Sequence, residues 1–155
     1  MIRFIQESDW PQIMAIQSDV YLDVTPESLH VLQKKWHRSP DFCFVYEERG
    51  KVVAYLLAHT WSGALPKLDT VLDFSVSSKW VLLHDLAVSE PNKGIGKSMI
   101  RHFLSVVSWM AYTQIKLVSI QNSASFWASF GFKRSSGSVS DCYGSGALLM
   151  IRSES

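Results

Sequence analysis

Residues 80–104 read Trp-Val-Leu-Leu-His-Asp-Leu-Ala-Val-Ser-Glu-Pro-Asn-Lys-Gly-Ile-Gly-Lys-Ser-Met-Ile-Arg-His-Phe-Leu. An apolar run from Val81 to Val88 is broken only by His84 and Asp85, and a short polar turn follows from Ser89 to Lys93. After Gly94-Ile95-Gly96 the apolar residues Met99, Ile100, Phe103, Leu104, Val107, Met110 and Ala111 recur at helical spacing, on one face. The stretch therefore predicts a strand, a glycine turn and a helix. Such a turn aims unpaired backbone N–H groups and the positive end of the helix dipole at whatever lies in front of it. Glycine at 94 and 96 permits close approach, and Lys93, Lys97 and Ser98 add donors. The chemistry suits an anion, above all a phosphate.

Gly96-Lys97-Ser98 looks like the end of a nucleotide-binding P-loop, but that motif needs a glycine where Pro91 stands. A dinucleotide fingerprint needs a third glycine where Met99 stands. A third arrangement, glycine–any residue–glycine directly after a strand, fits Gly94 and Gly96. An ordinary strand-to-helix turn would also carry two glycines, so the rest of the chain has to decide.

Outward from this stretch the elements fall in a definite order. Alternation over residues 2–6 predicts a first strand, and Ser8 or Asp9 with Pro11 opens a helix. Thr25-Pro26-Glu27-Ser28 reads as a second helix start, with Leu29, Leu32 and Trp36 on its inner face and Ser39-Pro40 at its end. Phe42 to Tyr46 and Val52 to Leu57 alternate around a polar turn and predict a hairpin. Residues 61–79 carry no clean period. A connection longer than roughly 12–15 residues often covers a site, so this one is expected to border the place where a second substrate enters. After the central strand and helix, residues 115–120 predict a strand, 124–130 a short helix closed by Gly131, 132–140 a strand, and 147–152 the last strand.

With 155 residues the chain predicts one domain, 1–155, with a full core. A hydrophobic share of 47% with 19% charged residues describes a globular protein. A formal net charge of +1 supplies no basic surplus for nucleic acid. No apolar stretch is long enough to span a bilayer, and residues 1–10 lack the basic start and apolar run of a signal peptide. Cys43 and Cys142, the only cysteines, cannot make a disulfide framework or a four-cysteine zinc site. The expectations are a cytoplasmic location, no metal, no nucleic acid and no membrane.

The order of elements and four short motifs resemble the GNAT acetyltransferases. Ile2-Arg3 with Asp9 resembles the family's opening, Leu83-His84-Asp85-Leu86-Ala87-Val88 its fourth strand, and Asn122-Ser123-Ala124 with Phe126-Trp127 and Gly131-Phe132 its C-terminal segment. Tyr143-Gly144, Ala147 and Met150 resemble the closing strands of one bacterial subset. The resemblance spans nearly the whole chain. It implies an α/β (α+β) fold with a mixed, mostly antiparallel sheet of six or seven strands, splayed between strands 4 and 5, and about four helices. It implies an enzyme that moves an acetyl group from acetyl-CoA to an amine of a small molecule or peptide, by direct attack in a ternary complex. The alternative is a module that binds CoA or acyl-CoA without turnover. A homodimer is left open.

The same resemblance places Leu86, Ala87 and Val88 along the pantetheine arm, with Asn122 and Trp127 further along. It places the pyrophosphate on Lys93, Gly94, Ile95, Gly96, Lys97 and Ser98. Pro91 stands where the family has Arg or Gln, and Lys93 compensates in part. The Val88 backbone N–H is the expected oxyanion donor. Trp127 takes the place of the Tyr that protonates the leaving thiolate in many members, and Tyr143 is the nearest replacement. Asp85 and His84 are the candidates for the base. Both also have a structural reading: an Asp inside an apolar strand must be hydrogen-bonded, and a His there can be a satisfied core residue. Tyr21 and Trp61 are expected to wall the acceptor pocket.

Overall fold

The computed structural model describes residues 1–21, 26–62, 65–69, 80–91, 93–137 and 139–154. Strands β1 (Ile2–Phe4), β2 (Phe44–Glu48), β3 (Lys51–Trp61), β4 (Trp80–Val88), β5 (Gln114–Ser119), β6 (Lys133–Arg134) and β7 (Leu148–Ser153) form one sheet. Its order is β1-β2-β3-β4-β5-β7-β6, and among the described residues only the β4–β5 pair is parallel. Helices α1 (Trp10–Val20), α2 (Leu29–Arg38), α3 (Ile95–Trp109) and α4 (Ala124–Ala128) complete the expected α/β architecture. None of the described helices is long and apolar enough to cross a membrane.

The helices lie on both faces of the sheet. On one face α3 packs Met99, Ile100, Phe103 and Val107 against Val53, Leu56, Val81 and Leu83, with Trp127 and Phe132 beside them. On the other face α1 and α2 bring Trp10, Ile13, Ile16 and Leu32 against Val45, Tyr55, Leu57 and Ala87. Central β3 is thus covered on both sides, which explains its near-continuous burial from Val52 to Thr60. Arg49 and Gly50 close the β2–β3 hairpin in two residues, both at positive φ, the geometry that matches strand twist.

Several boundaries depart from the sequence expectation. The strand expected over 132–140 is reduced to Lys133–Arg134. The face of α3 ends at Val107: the helix stops at Trp109, Met110 is 40% exposed and Ala111 turns into the left-handed region. Helix α2 buries Val31, Leu32 and Lys35, while Leu29 is exposed. Residues 63–64 and 70–79, most of the segment expected to border the acceptor, lie outside the described residues.

Candidate active site

The strands β4 and β5 pair at Val81–Ile115 and Leu82–Lys116, and no pairing joins them beyond Leu82. The second half of β4 therefore has a partner on one side only. Two hydrogen bonds fix which groups face the open side. The Ser89 N–H donates to Val53 O of β3 at 2.9 Å, and Leu86 O, turned the other way, accepts from Tyr21 Oη at 2.5 Å. Backbone groups alternate along a strand, so the N–H of Val88 points to the open side with that of Leu86. Ala87 turns to Tyr55 on β3 and buries its methyl on the α1–α2 face, so it takes no part in the open edge.

Beneath this edge lies a cavity of about 330 Å³. Leu83, Leu117, Phe126 and Trp127 make its apolar floor; Gln17, Tyr21, Pro26 and Glu27 line the α1–α2 side; Leu68 and Tyr143 line another wall. Leu57 pairs with Asp85 and Ala58 with Leu83, which leaves His84 as the extra residue of a β-bulge. The bulge breaks the rule that strand neighbours face opposite sides. His84 and Asp85 both border the cavity.

Their surroundings differ. Asp85 Oδ2 accepts from Tyr55 Oη at 2.6 Å. Burial pushes the Asp85 carboxyl above the ordinary carboxylate range, opposed by His84 and by the hydroxyls of Tyr21 and Tyr55. Burial and then Asp85 push both tyrosines well above the ordinary phenol value. The His84 imidazole is only 3% exposed and meets Glu27 Oε1 through Nε2. Lys35 Nζ stands 3.0 Å from the same nitrogen and 3.0 Å from Glu27 Oε2. Burial works against the Glu27 carboxylate, but His84 and Lys35 outweigh it and hold its pKa well below the usual range. Burial lowers the Lys35 ammonium despite Glu27. Glu27 and Lys35 were not reached by sequence reasoning. Lys35 falls three residues after Leu32 and four after Val31, on the buried stripe of α2, and that spacing is the signal that points to it.

At the open end, Gly94 takes φ +77° and caps α3, a conformation that favours glycine. A Cβ on Gly96 would meet Phe126, Val88 and Leu86 at 3.6, 3.7 and 4.0 Å. Gly96 thus faces the side chains of Phe126, Val88 and Leu86 at ordinary packing distance, where a methyl would fit and a larger side chain would crowd them. Ile95 is buried; Lys93, Gly94, Lys97 and Ser98 are exposed at the helix start. Lys93 is engaged by Glu90. Pro91 is exposed.

The remaining expected residues are placed as follows. Trp127 is buried, and its indole N–H donates to Ser123 Oγ at 3.2 Å. Tyr143 is buried in a short 3-10 turn and donates to Pro66 O at 2.6 Å, with burial pushing its phenol up. Tyr21 lines the cavity. Trp61 does not; it lies at the far end of β3 opposite Trp80, beside His59. Asn122 is exposed at φ +59° and is not a lining residue, although Gln121 and Ser123 on either side are.

A splayed parallel strand pair, an open strand edge and a glycine-capped helix at its mouth define a class of acyl-transfer folds. The chain belongs to the acetyltransferase (GNAT) family, whose sequence profile matches residues 10–132. No curated protein matches the sequence. Among solved structures, Ard1 from Thermoplasma volcanium is 17% identical, with a TM-score of 0.77 and a match over 99% of this chain and 97% of that one. Naa50 from Arabidopsis thaliana is 13% identical, TM-score 0.75, over 99% and 97%. The ribosomal-protein-S18-alanine N-acetyltransferase from Escherichia coli is 16% identical, TM-score 0.72, over 100% and 94%. At these identities the likeness speaks for the fold.

Proposed function

We propose that the protein moves an acetyl group from acetyl-CoA to an amine of a small molecule or peptide, the two substrates bound together. Acetyl-CoA supplies the activated acyl thioester. The single observation that carries the reading is the second half of β4, unpaired with β5 beyond Leu82 and bordering the cavity through His84, Asp85 and Leu86, with the glycine-capped start of α3 following it in the chain. The fit is chemical as well as spatial. A pantetheine arm is an amide chain that can pair with an unpartnered strand edge as an added strand does. A pyrophosphate suits the first-turn N–H groups of α3 at Ile95, Gly96 and Lys97, with Lys93 and Ser98 nearby. Leu86 and Val88 would hold the arm, and Trp127 with Phe126 would wall the thioester end. Naa50 is in complex with the bisubstrate analogue CoA-Ac-MVNAL, which supports both the cofactor and a peptide amine as one acceptor class.

An amine must lose its proton to attack, and the developing oxyanion needs a donor. We assign the donor to the Val88 N–H and the proton acceptor to Asp85, which borders the cavity and whose basicity burial raises. His84, the other candidate base, is turned into Glu27 and Lys35 and shapes the site. The leaving thiolate needs little help, since a thiol pKa lies near about 8.5. Among the lining hydroxyls, Tyr143 is assigned as the proton source, after leaving Pro66 O. The acceptor enters on the side of Gln17, Tyr21, Leu68 and Tyr143.

A thiol-release assay with acetyl-CoA and a panel of amines tests the reading, joined to calorimetry with CoA. Gly96→Val should abolish CoA binding in a folded protein by blocking close approach of the pyrophosphate to the first turn of α3. Asp85→Asn should keep CoA binding and cut turnover by about a hundredfold, the lower end of general-base effects. Unchanged CoA affinity in folded Gly96→Val would sink the cofactor site. CoA binding with no turnover of any amine would favour a CoA-binding module instead.

A further inference from the structure

Glu27 sits one residue before Ser28, the N-cap of α2, and is 5% exposed. Its contacts reach four separate pieces of the chain. Oε1 meets His84 Nε2 on the β4 bulge. Oε2 accepts from Lys35 Nζ on α2 and from the Asp69 backbone N–H, each at 3.0 Å. Its backbone N–H donates to Gln17 Oε1 at 3.2 Å and its carbonyl accepts from Gln17 Nε2 at 3.1 Å, so α1 is tied in as well.

The contact to Asp69 belongs to a second set of anchors. Asp69 Oδ1 accepts from the Ser28 N–H at 2.7 Å. Tyr143 Oη donates to Pro66 O at 2.6 Å, and the Leu68 N–H donates to Cys142 Sγ at 3.4 Å. Residues 66–69 are thus held from the α2 start on one side and the 141–143 turn on the other. Between these anchors Leu68 and Tyr143 present themselves to the cavity, across from Tyr21 and Gln17. Among the described residues, Glu27 Oε2 is the acceptor of the Asp69 amide.

A buried ion pair costs desolvation that its attraction often fails to recover, so it is weak evidence of a contribution to stability. What it does supply here is direction. A carboxylate has two oxygens at a fixed angle, and the two point to the strand bulge and to the cavity wall. We propose that Glu27 is a positioning residue for the acceptor: it sets the Leu68 wall relative to the His84 bulge and so shapes the amine-binding end of the cavity. This rests on the reading of that end as the acceptor side. Glu27 acts through Asp69, Leu68 and His84, without touching the reacting atoms.

The test compares the wild type, Glu27→Gln, and the double variant Glu27→Leu with Lys35→Met. The double variant removes both charges together and replaces their volume, so the Lys35 ammonium is not stranded in the interior. Its amine KM should rise about tenfold or more, while acetyl-CoA KM changes little. Hydrogen exchange at the Asp69 amide should quicken at least about tenfold, because no acceptor remains. Glu27→Gln retains a side-chain oxygen and should recover most of both properties. A folded double variant with wild-type amine KM, or with Asp69 exchanging at the wild-type rate, overturns the proposal. If the wild type acetylates no amine, the acetyltransferase reading is what fails. The Asp69 exchange rate, which needs no activity, then decides whether Glu27 fixes the wall.

Discussion

Two ionic clusters in this molecule use similar residues and do different work. At the edge of the sheet, Arg3 reaches Asp9 with two hydrogen bonds of 2.8 Å and Glu47 with one of 3.1 Å. The Arg3 side chain is 21% exposed and that of Glu47 30%, so water screens much of this cluster. Beside the cavity, Glu27, Lys35 and His84 have side chains exposed by 5% or less. The first cluster staples β1 to the start of α1 and to β2; its Asp9 is buried, but the bidentate Arg–carboxylate fork and the Gln6 N–H satisfy that carboxylate, and Arg3 and Glu47 keep contact with water. The second must offset the dehydration of every member. A cluster of that kind is kept for where it puts its neighbours, and its neighbours are the strand bulge and the cavity wall.

The contrast is open to attack by mutation. Its largest expected effect is Glu27→Ala, which strands the Lys35 ammonium in the interior. Urea unfolding should show a loss of about 3–5 kcal/mol. A loss below about 1 kcal/mol would mean that water reaches the cluster, and the distinction between the two would collapse. Asp9→Ala should cost less, about 2 kcal/mol. Asp9 loses its bonds to Arg3 and also releases the Gln6 N–H, which it accepts at 2.7 Å, but Arg3 can turn to water and Glu47.

Acid should then separate the two regions by the pH at which each loses stability. Burial works against the Asp9 carboxylate, but Arg3 and the Gln6 N–H outweigh it and lower its pKa. Its contribution is therefore present above the unfolded value of about 3.9 and is lost as pH falls through the lower folded value. Near the buried cluster, His59 Nδ1 donates to Thr60 O at 3.1 Å, and its ring lies 6.3 Å from that of His84. Burial, then His84, lowers the His59 pKa to about 3. Between the unfolded value of about 6.5 and that folded value, the unfolded chain binds a proton that the folded chain refuses, so stability falls as pH drops through this window. Urea midpoints from pH 7 to pH 4 should decline in the wild type and flatten in His59→Gln. Asp9→Asn should leave that decline in place.

The smallest effect belongs to the third pair, Lys93 with Glu90, exposed on both sides at the mouth of the cleft. Lys93→Met should not move the urea midpoint measurably, since exposed pairs of this kind contribute little. It should raise acetyl-CoA KM a few-fold, more at low salt than at high salt. A clear loss of stability instead would show that exposure is the wrong criterion for ranking these clusters.

Much of the fold was legible from the chain alone, because the signals there are local. The period of β4 and α3, the glycines at 94 and 96, and the hairpin turn each depend on residues close in sequence. The stretch proposed to hold the cofactor reads locally for the same reason: it is one contiguous strand–turn–helix segment. The resemblance places Ala87 along the pantetheine arm with Leu86 and Val88, and strand alternation turns its backbone groups to β3 and its methyl into the α1–α2 face. Trp61 read as a pocket residue from its size and position, and the register of β3 with β4 carries it to the far end.

The acceptor side depended on tertiary structure. Glu27 precedes α2, Asp69 lies in a connection and His84 in a strand, and nothing in their spacing announces that one carboxylate joins them. The β-bulge that brings His84 to the cavity beside Asp85 is set by pairing between β3 and β4, which a strand pattern does not encode. The resemblance places Tyr143 with the closing strands; it lies in a short 3-10 turn instead, buried, with its hydroxyl donating to Pro66 O from the distant 65–69 segment. Local propensity and period act over a few residues and can be read directly. Burial of a charge is decided by which distant segments close over it, and that decision is made only when the chain has folded.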